Sequence, residues 1–75
     1  MVSAQTIQET LIKALPGAKV QVIDSTGTND HFEAVVVWQG FEGKSLVEQH
    51  QAVMAPLQPG LKSGEIHALK IKTST

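Results

Sequence analysis

Three histidines, His31, His50 and His67, are the side chains here best suited to chemistry, because imidazole can ligate a metal, move a proton or hydrogen-bond through either nitrogen. Their settings differ. His31 begins an apolar run beside a polar stretch, and its spacing fits an exposed strand end. His50 falls on the apolar side of a predicted helix, where a histidine is more often a hydrogen-bonded core or boundary residue than a ligand. For His67, between Ile66 and Ala68, spacing leaves a packed position and an exposed ligand equally open. No two histidines have ligand spacing within one element, and the chain has no cysteine, so spacing argues against a zinc site built by this chain alone.

Enzyme chemistry is poorly supported. There is no Gly-rich phosphate loop, no nucleophile elbow and no His-Glu-x-x-His helix. Glu42 and Glu48 lie near His50 in sequence, but their co-occurrence in a chain with several of each residue type carries no information. The chain is not expected to be an enzyme.

The elements that must position these histidines follow from periodicity. His31 to Trp38 reads as a central strand, with Phe32, Ala34, Val36 and Trp38 on one face and His31, Glu33, Val35 and Val37 on the other. The second face starts polar and ends apolar, which predicts cover on both sides for its later half and an exposed start near Asp30 and His31. From Leu46 the spacing becomes helical, through Leu46, Val47, Val53, Met54 and Leu57, with Pro56 ending or kinking the helix. Upstream, Ser3 is suited to cap a helix whose stripe is Ile7, Leu11, Ala14 and Leu15, stopped by Pro16-Gly17. Lys19 to Ile23 is the first strand, and residues 24–30 form a polar loop leading to the second. Pro56, Pro59 and Gly60 break the chain into short pieces around Leu57 and Leu61, consistent with a brief third helical turn, and Glu65 to Lys72 reads as a third strand, with Glu65, His67, Leu69 and Ile71 on one face and Ile66, Ala68, Lys70 and Lys72 on the other. The order is helix, strand, strand, helix, short helix, strand: an α+β domain with helices on one face of a small sheet. The crossover containing helices allows the second and third strands to run parallel.

The chain as a whole sets further bounds. Its 75 residues suit one domain with one small core, and residues 73–75 are expected to be frayed. Without disulfides, stability must come from packing, which suits a reducing cytosol, the expected location. Lys+Arg number 6 against Asp+Glu 7, a balance that argues against a dedicated nucleic-acid binder. No apolar run approaches the roughly 20 residues of a membrane helix. Alone, the chain is expected to be a monomer or weak homodimer.

Asp30-His31-Phe32, Val35-Val36-Val37, Phe41-Glu42-Gly43-Lys44-Ser45-Leu46-Val47, His50, Val53 and the closing Ile66-His67-Ala68-Leu69-Lys70-Ile71-Lys72-Thr73 together resemble the BolA family, over Ile7 to Thr73. The resemblance implies an αββααβ fold similar to class II KH domains. It also implies a partner, a monothiol glutaredoxin, with which such proteins hold a bridging [2Fe-2S] cluster in iron-sulfur trafficking or iron and redox regulation. Glutaredoxin and its glutathione would supply the thiolates and this chain the imidazole, His67 matching the cluster ligand. Phe41 to Val47 would turn the chain and seat the second helix. Lys44, His50 and Lys70 are the expected partner-binding residues.

Two departures from the family pattern stand out. Many members carry a second ligand, cysteine or histidine, between the first two strands, whereas residues 24–30 contain neither. Thr28 stands where the cysteine of one subgroup would align, and threonine is a poor iron ligand. Asp24, Asp30 and His31 are the available substitutes, His31 being the best chemical match. The alternative function, a KH-like nucleic-acid-binding regulator, would rest on Lys62, Lys70 and Lys72, with Lys44 extending the strip. Against it, Gln49 and Gln51 flank His50 where arginines are frequent in the family, and the Gly-x-x-Gly clamp of KH domains is absent between the helices.

Overall fold

In the computed structural model, which describes residues 3–27 and 31–75, Ser3 begins the first helix as its position predicts. Its Oγ accepts the Thr6 N–H at 3.2 Å, satisfying a donor that the helix itself leaves unpaired. Helix α1, Ala4–Ala14, buries Ile7 and Leu11, and Leu15 just beyond it. Ala14, expected in that stripe, is exposed: the stripe continues to Leu15 at the helix end and passes Ala14 by. Gly17, at φ +84°, then reverses the chain in a conformation that a Cβ would disfavour.

Strand β1, Lys19–Asp24, pairs antiparallel with β2, His31–Val37, and β2 pairs parallel with β3, Ala68–Ser74. The sheet order β1-β2-β3 puts β2 at the centre. Helix α2, Leu46–Met54, a 3₁₀ turn at Ala55–Leu57 and helix α3, Gln58–Ser63, form the crossover that parallel pairing requires. The result is an α+β fold, αββααβ, with a three-stranded mixed sheet and its helices on one face.

Alternation sets the core. Phe32, Ala34 and Val36 of β2 are buried, against Val20 and Val22 of β1 and Leu69 and Ile71 of β3, beneath Ile7, Leu11, Val53, Leu57 and Phe41. Val35 and Val37, expected to be covered on both sides, are only half-buried. No helix lies over them; the sheet neighbours of Val35 are Gln21 and Lys72 and those of Val37 are Lys19 and Ser74. His31, expected at an exposed edge, is half-buried because its strand has a partner on each side.

Three further expectations change. Leu46 and Val47 are 63% and 66% exposed, since the first turn of α2 stands clear of the sheet and the helix buries Val53 instead. Strand β3 starts at Ala68, not Glu65, so Ile66 lies in a bend outside the alternation and is buried. Thr73 and Ser74, expected to be frayed, belong to β3 opposite Val36 and Val37. The expectations placed on Thr28 and Asp30 lie outside the described residues.

Trp38 locks the end of β2. Its backbone N–H donates to the Ser74 carbonyl and its indole Nε1–H to the Pro16 carbonyl, both at 2.9 Å, while the ring meets Phe41 edge-on at 5.2 Å. A Cβ on Gly40 would lie 2.6 Å from the indole ring, so glycine is required there by close approach. Gly40→Ala is expected to displace the indole from Pro16 and destabilise the fold by about 1–3 kcal/mol. Urea unfolding followed by the fluorescence of Trp38, the chain's one tryptophan, checks this; an unchanged midpoint would refute it.

Candidate functional site

The parallel register places His31 opposite Ala68, which brings the preceding residue, His67, beside His31. The two imidazole rings lie 5.2 Å apart, centre to centre, with planes inclined at 39°. His67 is exposed and His31 half-buried, so the pair sits at one end of the sheet with a face open to solvent. Both have firm supports. The His31 carbonyl accepts the Ser25 N–H at 2.8 Å, and Asp24 Oδ1 accepts the Gly27 N–H at 2.9 Å, shaping the start of the β1–β2 loop. Next to His67, the buried Ile66 donates its N–H to the Gly60 carbonyl at 3.0 Å and packs so closely on Gly60 that a Cβ there would come within 2.8 Å of it.

The segment from Phe41 to Val47 seats α2. Phe41 is fully buried, Gly43 turns the chain at φ +82°, and the Lys44 N–H donates to the Phe41 carbonyl at 3.0 Å. Ser45 then forms a reciprocal cap: its Oγ accepts the Glu48 N–H at 3.2 Å and its own N–H donates to Glu48 Oε1 at 3.1 Å. That backbone N–H, with the Ser45 side chain and nearby Lys44, holds the Glu48 carboxyl below its ordinary value. Gln49 ties the helix to the sheet, donating from Nε2 to the Lys44 carbonyl at 3.0 Å and accepting from the Thr73 hydroxyl at 2.5 Å. His50, beside it, is half-buried, in keeping with a boundary position.

The lysines do not gather at one place. Lys44 is exposed in the turn before α2, and Lys62 is exposed near the end of α3. Lys70 and Lys72 are exposed on the sheet face that carries no helix, where Lys72 Nζ lies 3.5 Å from Glu33 Oε1. With Lys72 exposed and Glu33 half-buried, the pair sets a negative charge among the cations of that face.

Of the residues singled out in the sequence, the structure therefore brings together His31 and His67. Spacing could not reveal this, because the contact arises from strand pairing. Gln49 in the sequence is only the absence of a positive charge beside His50, and its part in joining α2 to β3 has no sequence signal. Among the described residues no group of three or more His, Cys, Asp or Glu side chains surrounds a metal position. The donors brought together are imidazole nitrogens without thiolate, a type suited to borderline metals and able to complete a centre whose other ligands come from elsewhere.

Comparison with known proteins agrees with this architecture. The family described as BolA-like protein matches residues 5–75. Protein BOLA2 of Arabidopsis thaliana is 42% identical over 73 residues, covering 96% of this chain and 76% of that protein. Among solved structures, BolA1 from Arabidopsis thaliana superposes with a TM-score of 0.86 at 32% identity, covering 100% of this chain and 93% of that one. The BolA domain of SufE1 from Arabidopsis thaliana gives 0.83 at 37% identity, covering 96% and 90%.

The cap on α2 yields a prediction with a sign. A carboxyl held below its ordinary value of 4.5 contributes stability above that value and loses the contribution as pH falls through its lowered folded value. Acid unfolding of a Glu48→Gln variant should accordingly be less pH-dependent below 4.5 than that of the parent. Ser45→Ala should cost about 1 kcal/mol at neutral pH, read by chemical unfolding.

Proposed function

This chain belongs to the BolA-like protein family, and from that premise we propose that it is an adaptor, not an enzyme, that binds a monothiol glutaredoxin in the cytoplasm and helps hold a [2Fe-2S] cluster between the two proteins. Its place would be in iron-sulfur trafficking or iron and redox regulation. The observation that carries this reading is the position of His67, exposed at the head of β3 with its ring 5.2 Å from that of His31.

The donor set fits the group. A chain without cysteine offers the cluster imidazole or carboxylate and no thiolate, so in this reading the thiolates come from glutaredoxin and its glutathione. His67 is the ligand from this side, and His31 stands in for the loop ligand that residues 24–30 lack. When bound, such a cluster supplies one-electron chemistry or transferable iron and sulfide, and imidazole in place of thiolate raises its reduction potential. The chain's own part is to hold the two rings at the end of a sheet, where β2 and β3 fix their spacing.

The partner surface in this reading runs over α2 and β3 and includes Lys44, His50 and Lys70. Leu46 and Val47, more than half exposed beside Lys44, add apolar area of the kind that docking surfaces use. The nucleic-acid alternative has less support, since Lys62 stands on α3, apart from Lys70 and Lys72 on the sheet, and Glu33 answers Lys72.

The test is a visible absorption and circular dichroism titration of cluster-loaded monothiol glutaredoxin with the parent chain and with His67→Ala. A new spectrum is expected with the parent and should be lost with the variant. Retention of the same spectrum by His67→Ala would remove His67 as ligand, and no spectral change with the parent would remove the shared cluster.

A further inference from the structure

We infer that the free edge of β3 binds an extended segment of another protein, one in which acidic and apolar residues alternate, as an added antiparallel strand. The inference goes beyond the glutaredoxin reading. Lys70 serves in both, but the occupant here is a strand held through its backbone, with no cluster and no histidine involved.

The edge itself is the first argument. Strand β3 lies at the border of the sheet, and among the described residues no strand pairs with its outer side. The Ser74 carbonyl accepts the Trp38 N–H from the β2 side. Backbone groups alternate in direction along a strand, so those of Lys70 and Lys72 point to β2 with Ser74, while the N–H and C=O of Leu69, Ile71 and Thr73 point outward. A row of outward groups of this kind is a template for another strand.

The side chains select which strand. Lys70 and Lys72 are exposed on the helix-free face, and Leu69 and Ile71 are half-buried on the other, so charge and apolar surface alternate along the edge. In an antiparallel addition, Leu69, Ile71 and Thr73 make the hydrogen-bonded pairs. Lys70 and Lys72 then fall in the non-hydrogen-bonded pairs, where opposite Cα atoms approach to about 4.5 Å instead of about 5.5 Å. Carboxylates opposite the lysines meet them at the closest positions of the ladder. Glu33, 3.5 Å from Lys72, balances one of the two lysines and leaves the edge net positive.

The same charges exclude a second copy. Two β3 edges paired antiparallel about Ile71 would set each Lys70 against the Lys72 of the other copy, and pairing about Lys70 or Lys72 would set that lysine against itself. Like charges directly opposite are destabilising, so the occupant is a different and acidic chain.

The experiment uses isotope-labelled protein at low salt without glutaredoxin. It is titrated with a capped peptide of alternating valine and glutamate, with its valine–lysine counterpart, and with the glutamate peptide N-methylated at its valines, and amide hydrogen exchange is read by NMR. The expected result is saturable binding of the glutamate peptide that slows exchange at Leu69, Ile71 and Thr73 about tenfold or more, with no slowing by the other two. A Lys70→Glu, Lys72→Glu variant, shown to be folded by far-UV circular dichroism, should lose the glutamate peptide and gain the lysine peptide. Absence of binding, binding without protection of those amides, equal protection by the N-methylated peptide, or retention of the glutamate peptide by the variant would each overturn the inference. Concentration-dependent protection without peptide would overturn it too, by assigning the edge to a second copy. Because glutaredoxin is absent, failure here leaves the cluster titration untouched, and failure of that titration leaves this result standing.

Discussion

The parallel pairing of β3 with β2 is the constraint on which the rest of the molecule depends. Parallel neighbours cannot be joined by a tight turn, so the chain must leave the end of β2, travel back along the sheet and enter β3 from the same end. Residues 38–67 make that journey as a 3₁₀ turn, α2, a second 3₁₀ turn and α3. The return also decides where His67 arrives. A strand that re-enters beside the start of β2 brings the residue before it to His31, whereas an antiparallel return would deliver the end of β3 there.

One-sided cover follows from the same crossover. With α1, α2 and α3 on one face, the inward residues of all three strands make a single core, while the outward residues of β2 and β3 meet solvent. The division is visible in single residues: Ala34 and Val36 are completely buried, and Val35, between them, is not. It also separates two kinds of polar contact. Gln49 and Thr73 bond in a partly buried setting and join helix to sheet, a contact whose loss would leave polar atoms short of partners. Glu33 and Lys72 meet at the surface, where water competes for the exposed Lys72 ammonium.

A small core places a limit on chemistry as well as on stability. No catalytic constellation was found among the sequence motifs, and the described side chains that come together near the sheet's end are two imidazoles. A site of that kind leaves positions for donors from elsewhere. The supports around it are ordinary ones, a buried isoleucine packed on a glycine and a strand carbonyl held by an amide, and they fix two rings without burying either completely.

The sequence by itself determined the elements, because each is specified by neighbours a few residues apart. Ser3 announces a helix start through a local hydrogen bond, alternation marks Phe32, Ala34 and Val36 as one face, and Pro16-Gly17 marks a reversal. The family likeness was legible for the same reason, in the short blocks around Phe41 and His67. Errors came where packing outranks periodicity: Leu46 and Val47 fit a helical stripe but lie beyond the sheet that would cover them, and Ile66 breaks the alternation because its bend turns it inward. Tertiary structure alone decided that His31 and His67 are neighbours and that Gln49 bonds Thr73, since strand register and helix docking depend on contacts between distant segments. No local spacing encodes those distances; they are set when the crossover closes and β3 finds its register against β2.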